Sequence, residues 1–244
     1  FMSLRGKEDF SFYYTGKAMY GWIDAGLDEL RSELESREDT GAGERLVHRL
    51  LTAKGLPVGR FVQEWSVEEG RVEARIAFDL EPSLPELPRV GLRCRLTPGL
   101  NEARWFGLGP HEAYSDRKAG ARLGLWSAGA EGLSVPYIVP QENGNRHQAR
   151  WLELSARGAK APSLAVSGSR PFDFSLAPYS DEELWAARHW DCLPPFGEAL
   201  AKGAWLHLDA AQRGVGTATC GPDTLERYRL RPGVYRLALS FEAY

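Results

Sequence analysis

The chain has few of the residues that build metal and redox centres. Its 244 residues include three cysteines, five histidines and two methionines. Cys94, Cys192 and Cys220 form no C-x-x-C pair and no even framework, so they read as free thiols of a reducing cytoplasm. The histidines show neither H-x-H nor H-x-x-x-H spacing, which argues against a dedicated zinc site. No apolar run approaches the roughly 20 residues that a membrane-spanning helix needs. The first ten residues lack an apolar core and a small-residue cleavage site, so no signal peptide is expected, and residues 1–4 read as an initiation or vector scar. Excess charge is missing too: 30 positive residues face 33 negative ones, a net charge of −3. That balance leaves no electrostatic footprint for nucleic acid or an anionic membrane. Neither an internal repeat nor a linker between two cores is visible, so residues 1–244 read as one domain.

Turn residues are abundant, with 26 glycines and 15 prolines at short intervals. Between them lie runs with a period of two. Val72, Ala74, Ile76 and Phe78 share one face, and Tyr235, Leu237, Leu239 and Phe241 repeat the pattern. Residues 61–67, 90–96, 102–106, 151–154, 163–167, 172–176 and 205–209 are further strand candidates. Half-buried strands at this spacing argue an antiparallel sandwich. One helix announces itself: Ser180-Asp181-Glu182-Glu183 is a capping box, followed by Leu184 and Trp185. Arg188 and His189 suit the negative end of such a helix. Leu27, Leu30 and Leu34 fit a second helix, while residues 30–36 fit a strand equally well. Residues 38–44 read as a loop, and Trp105, Trp151 and Trp205 sit at strand positions expected in the core.

The most specific stretches come later. Residues 105–117 read W-F-G-L-G-P-H-E-A-Y-S-D-R, a strand leading into a tight turn and a short charged loop. Residues 136–146 read P-Y-I-V-P-Q-E-N-G-N-R. Asn143-Gly144 is a strong turn dipeptide, with Glu142 and Arg146 placed to pair across it. Asp116 and Arg117 read as a structural ion pair. His111 and His147 stand beside carboxylates as an acid/base pair or as solvated loop residues.

These blocks, continuing through Pro171-Phe172-Asp173-Phe174, Tyr179 to Leu184, Trp205-Leu206-His207-Leu208-Asp209 and residues 213–222, resemble the C-terminal domain of the large lacZ-type β-galactosidases of glycoside hydrolase family 2. The resemblance covers residues 104–244 strongly and 59–103 more weakly. It implies an all-β fold, a large two-layer antiparallel β-sandwich of the galactose-mutarotase type (a supersandwich) with one or two short helices. The N-terminal quarter departs from the family pattern. Ala25-Gly26-Leu27-Asp28-Glu29-Leu30-Arg31 is present, but the family's R-A-P-T-D-N-D block is not, which predicts an omitted loop between residues 12 and 17.

The family is retaining, and a retaining mechanism needs two carboxylates about 5–5.5 Å apart. The resemblance places both glutamates on a barrel domain whose motifs this sequence lacks, and 244 residues are too few for such a barrel beside a sandwich. The chain is therefore expected to support the catalytic barrel of a parent β-galactosidase acting on terminal β-D-galactosides, and to be inactive alone. The family's magnesium and sodium would be bound mainly elsewhere, so no cofactor is expected here. An oligomeric parent stays open.

Some relatives carry a sugar-stacking tryptophan near the C-terminus. The matching stretch here, residues 214–222, is one residue shorter and has Cys220 or Gly221 near that position. Substrate-binding candidates in the parent are thus Thr217, Cys220 and Gly221, with His111, Glu142, Asn143 and Arg146. The last three read as a satisfied turn network ahead of sugar ligands. Two other readings remain: an aldose mutarotase using His207 or His111 with Glu142, or a carbohydrate-binding sandwich. An exposed apolar patch near residues 217–222, where the barrel would pack, is a further expectation.

Overall fold

In a computed structural model the described residues are 18–216 and 222–244. The expected omitted loop between residues 12 and 17, the scar at 1–4, and Thr217, Cys220 and Gly221 all lie outside them. The patch expected beside residues 217–222 therefore falls largely outside them as well.

Eleven antiparallel strands make up about half of the described chain. They are β1 (Leu30–Asp39), β2 (Gly43–Thr52), β3 (Pro57–Glu68), β4 (Arg71–Leu80), β5 (Arg89–Arg95), β6 (Leu100–Gly109), β7 (Arg122–Gly129), β8 (Arg146–Ala156), β9 (Leu164–Ala177), β10 (Trp205–Gln212) and β11 (Val234–Ala243). Their order is β1-β2-β3-β4-β11-β9-β8-β6-β7, with β10 and β5 branching from β9. The branch arises because β9 is long. Its first part, Leu164 to Gly168, pairs with β11, and its second part, Asp173 to Ala177, pairs with β10. The sheet divides there into the two layers of a sandwich. Ile76 on β4, Leu154 on β8, Phe174 on β9, Leu206 on β10 and Leu239 on β11 meet in one core, each nearly sealed from water. Burying each such side chain contributes about 1.5–3 kcal/mol.

The two sequence segments 163–167 and 172–176 are thus one strand. Residues 30–36 form a strand, and Leu34 is exposed rather than on a helical apolar face. β1 lies at the sheet edge and is almost wholly exposed, with its charges paired onto neighbouring strands, as in Arg37–Glu44 and Arg60–Glu35. Such charges are a usual guard against edge-to-edge association. The loop expected at 38–44 shrinks to residues 40–42, since β1 and β2 close a tight hairpin.

Four short helices are present among the described residues, more than the one or two expected: α1 (Ala18–Asp24), α2 (Ala130–Leu133), α3 (Asp181–Ala186) and α4 (Phe196–Leu200). The capping box forms as read, with Ser180 accepting from the Glu183 amide and Glu183 accepting from the Ser180 amide. Arg188 and His189 lie beyond α3, which has no basic residue in its last turn. The helix α1 had no clear signal; Trp22 buries itself there and donates to the Glu86 carbonyl. Trp105 is core, whereas Trp151 and Trp205 are only half-buried.

Candidate functional site

The two long motif blocks fold onto each other through backbone exchange. Ala113 donates its amide to the Asn145 carbonyl, and the Asn145 side chain donates to the Ala113 carbonyl, both at 2.8 Å. This pairing sets the loop at 110–117, entered through a cis Gly109–Pro110 bond, against the start of β8.

Glu112 ties that loop together. One of its oxygens accepts from Arg117 and from the Tyr137 hydroxyl at 2.6 Å, and the other accepts from the Gly144 amide at 2.8 Å. Arg117 therefore pairs with Glu112 and not with Asp116. Asp116 instead accepts from the amides of Val215 and Gly216, at 3.1 and 2.7 Å. Asn143 is a turn residue: its oxygen accepts from the Val135 amide and its nitrogen donates to the Gln141 carbonyl.

Glu142 does not turn to Arg146. It reaches the nearly buried Arg89 at 3.5 Å and accepts from Tyr114 at 3.3 Å. Arg89 also holds Asp209 at 2.8 Å. Register makes room for this contact. A bulge between Asp209 and Ala211 pairs Asp209 with Gly91, where a Cβ would lie 2.2 Å from the Asp209 carboxylate. Only glycine permits that approach.

Arg89, Asp209 and His207 are buried groups with large shifts. Burial acts against the Arg89 charge, but Asp209, Glu142 and Asp181 outweigh it and hold the guanidinium above its usual range. Burial raises Asp209 to about 7, reinforced by Asp173 and Glu142 and opposed by Arg89. Burial and Arg89 together push His207 down to about 3, although Asp181 lies 3.6 Å away. His207 is then a neutral imidazole. Both His207 and Glu142 lie against Arg89, almost sealed from water, so the mutarotase pairing gains no open site.

His147 joins a neighbouring carboxylate, with Nδ1 2.8 Å from Asp173. His111 is exposed and lines a cavity of about 390 Å³ with Trp105, Glu112, Ser127, Gly132 and Arg146. The sequence thus singled out two residues, His111 and Arg146, that the fold brings to one cavity.

A second ionic cluster was not read from the sequence. Arg213 donates to Asp223 at 2.7 Å and to the Thr224 hydroxyl at 2.9 Å, and pairs with Glu86 at 3.2 Å. Thr224 in turn donates to the Gly214 carbonyl at 2.7 Å. Together with Asp116, this cluster holds residues 214–216 and 223–224. The only hint in sequence was a pair of charges flanking a loop; their partner Glu86 is 127 positions from Arg213.

Among the described residues, no group of three or more His, Cys, Asp or Glu side chains is placed to hold a metal. Cys94 and Cys192 are free and exposed. No helix of the described chain is long and apolar enough to cross a membrane.

A family model described as the β-galactosidase small chain matches residues 8–241. The chain belongs to that family. A β-galactosidase of Arthrobacter sp. (strain B7) is 35% identical over 231 residues, covering 91% of this chain and 22% of that protein. A β-galactosidase of Vibrio cholerae is 37% identical over 202 residues, covering 80% and 18% respectively. The small-chain domain described here thus spans about a fifth of the length of the curated relatives it matches. A solved structure of a putative aldose 1-epimerase from Escherichia coli K12 overlaps 88% of this chain and 68% of its own, at 10% identity and a TM-score of 0.38, too slight to bear on activity.

Proposed function

We propose that the chain is the C-terminal module of a cytoplasmic β-galactosidase that hydrolyses terminal β-D-galactosides. It braces a catalytic barrel and presents residues 217–221 at one side of the sugar pocket, while both catalytic glutamates belong to the barrel. The observation that supports this reading is the anchoring of the residues on either side of that segment, Val215 and Gly216 by Asp116, and Asp223 and Thr224 by Arg213. The carboxylates of the motif blocks support the same reading. Glu112, Asp116, Glu142 and Asp173 each hold a cation, an amide or an imidazole, which is the work of a scaffold.

The test separates the chain from the rest of its parent. The two are produced as separate polypeptides, and hydrolysis of a nitrophenyl β-galactoside is measured for each alone and for the mixture. Activity in the mixture only is expected. Hydrolysis by this chain alone, or full activity of the remainder without it, refutes the proposal.

A further inference from the structure

The cavity of about 390 Å³ beside α2 is lined by Arg146, a buried guanidinium. Arg146 is 3% exposed, yet no carboxylate pairs with it among the described residues. One of its terminal nitrogens, Nη1, donates to the Gly144 carbonyl at 2.8 Å and more weakly to the Asn145 carbonyl at 3.5 Å. Its Nε is buried without any hydrogen-bond partner. A buried, unpaired donor of this kind ordinarily costs about 1–3 kcal/mol, more when charged. Burial lowers the Arg146 pKa only to about 10, so the group stays cationic at neutral pH.

The neighbouring Glu112 favours this charge from a distance but does not pair with it. Its two oxygens already hold Arg117, Tyr137 and the Gly144 amide. The Glu112–Arg117 pair is neutral as a unit, which leaves Arg146 as the net charge facing the cavity. The Arg146 guanidinium lies 5.4 Å from the centre of the Trp105 ring, which gives the cavity an aromatic reporter. His111 and Ser127 add polar groups to the lining, and Leu133 and Val135 add apolar ones. The volume falls at the small end of the ligand-site range, about 300–1,000 Å³.

From this juxtaposition we propose that the cavity between α2 and the loop at 110–117 is a binding site for a small oxyanion. The ligand is a carboxylate or phosphate on a molecule no larger than a monosaccharide, held by the free Nε edge of Arg146. An arginine presents that edge to two oxygens at once, which suits both anions. The site stands apart from residues 217–221 and does not depend on the sugar-pocket reading above.

The full chain is titrated with galacturonate, inorganic phosphate and, as the neutral control, galactose, following tryptophan fluorescence and heat. Saturable binding of galacturonate, of phosphate or of both is expected, with none for galactose; the two anions distinguish a carboxylate site from a phosphate site. Arg146→Gln should weaken binding at least about 10-fold, the worth of one lost charge-assisted contact. Because Arg146 also holds the turn at 144–145, a second variant acts without touching it. A Cβ added at Gly132 meets only Ala128, at 3.9 Å, so Gly132→Leu fills the cavity from α2 and should abolish binding in a folded protein. Binding that survives Gly132→Leu, equal binding of galactose, or no binding of either anion overturns the proposal.

Discussion

Replacing His207 by glutamine should remove most of the acid sensitivity that this one side chain imposes. His207 sits on β10 at 5% exposure, and burial with the nearby Arg89 holds its pKa at about 3. An unfolded histidine titrates near 6.5. A depressed value means that the folded state refuses a proton that the unfolded chain accepts. The stability so gained is complete above about pH 6.5 and is lost as pH falls toward 3, at up to about 1.4 kcal/mol per pH unit. Between pH 6.5 and 4.5 the integrated loss is about 2 kcal/mol. Asp209 pulls the other way. Its carboxyl is raised to about 7, so its contribution is fully present below about pH 4 and is lost as pH rises through 7. The two trends partly cancel in the native chain, and its own pH profile decides nothing. The informative quantity is the difference between native and His207→Gln proteins, in which the Asp209 contribution drops out to first order. Urea denaturation followed by tryptophan fluorescence at pH 6.5 and 4.5 measures it. The native protein should lose about 2 kcal/mol more than the variant over that interval. Equal losses would refute the reasoning and place a charged, hydrated imidazole at position 207.

The same cluster yields further expectations. In Asp209→Asn, the stability decline that the carboxyl imposes between about pH 4 and 7, up to about 1.4 kcal/mol per unit, should disappear; a decline unchanged from the native protein in urea titrations counts against it. Arg89→Met leaves Glu142 and Asp209 facing each other without their cation and should cost about 3–5 kcal/mol, read by calorimetry as a lowered Tm. An unchanged Tm there would mean that the network carries no stability. Gly216 has φ +60°, and a Cβ on it would lie 2.8 Å from the Thr224 amide nitrogen. Gly216→Ala should therefore destabilise by more than about 1 kcal/mol in chemical denaturation, and a neutral result would show that the loop anchor yields easily.

The strands were legible because side chains alternate across a sheet, and Val72, Ala74, Ile76 and Phe78 repeat every second residue. The capping box at Ser180 was legible because its two hydrogen bonds span three residues and need no distant partner. β10 shows where this legibility stops. Its residues alternate Leu206, His207, Leu208, Asp209, which reads as one apolar and one wet face. Yet β10 lies between β5 and β9, and His207 and Asp209 are both buried beneath α3 and the motif loops. The partners of charges were still harder to read. Asp116 and Arg117 are adjacent, and Glu142 and Arg146 are four apart across a turn, but neither pair forms the contact that closeness in sequence suggests. The partners are set by how the loops dock on the sheet: Glu142 meets Arg89, 53 residues away, because β5 runs beside β10 and the motif loop closes over both. In such a network one residue left over acquires meaning. Glu112, Asp116, Glu142 and Asp209 each gain a partner by docking, while Arg146, buried as deeply as Arg89, gains two backbone carbonyls and the Trp105 ring but no carboxylate. The proposed oxyanion supplies at Arg146 the countercharge that Asp209 and Glu142 supply at Arg89.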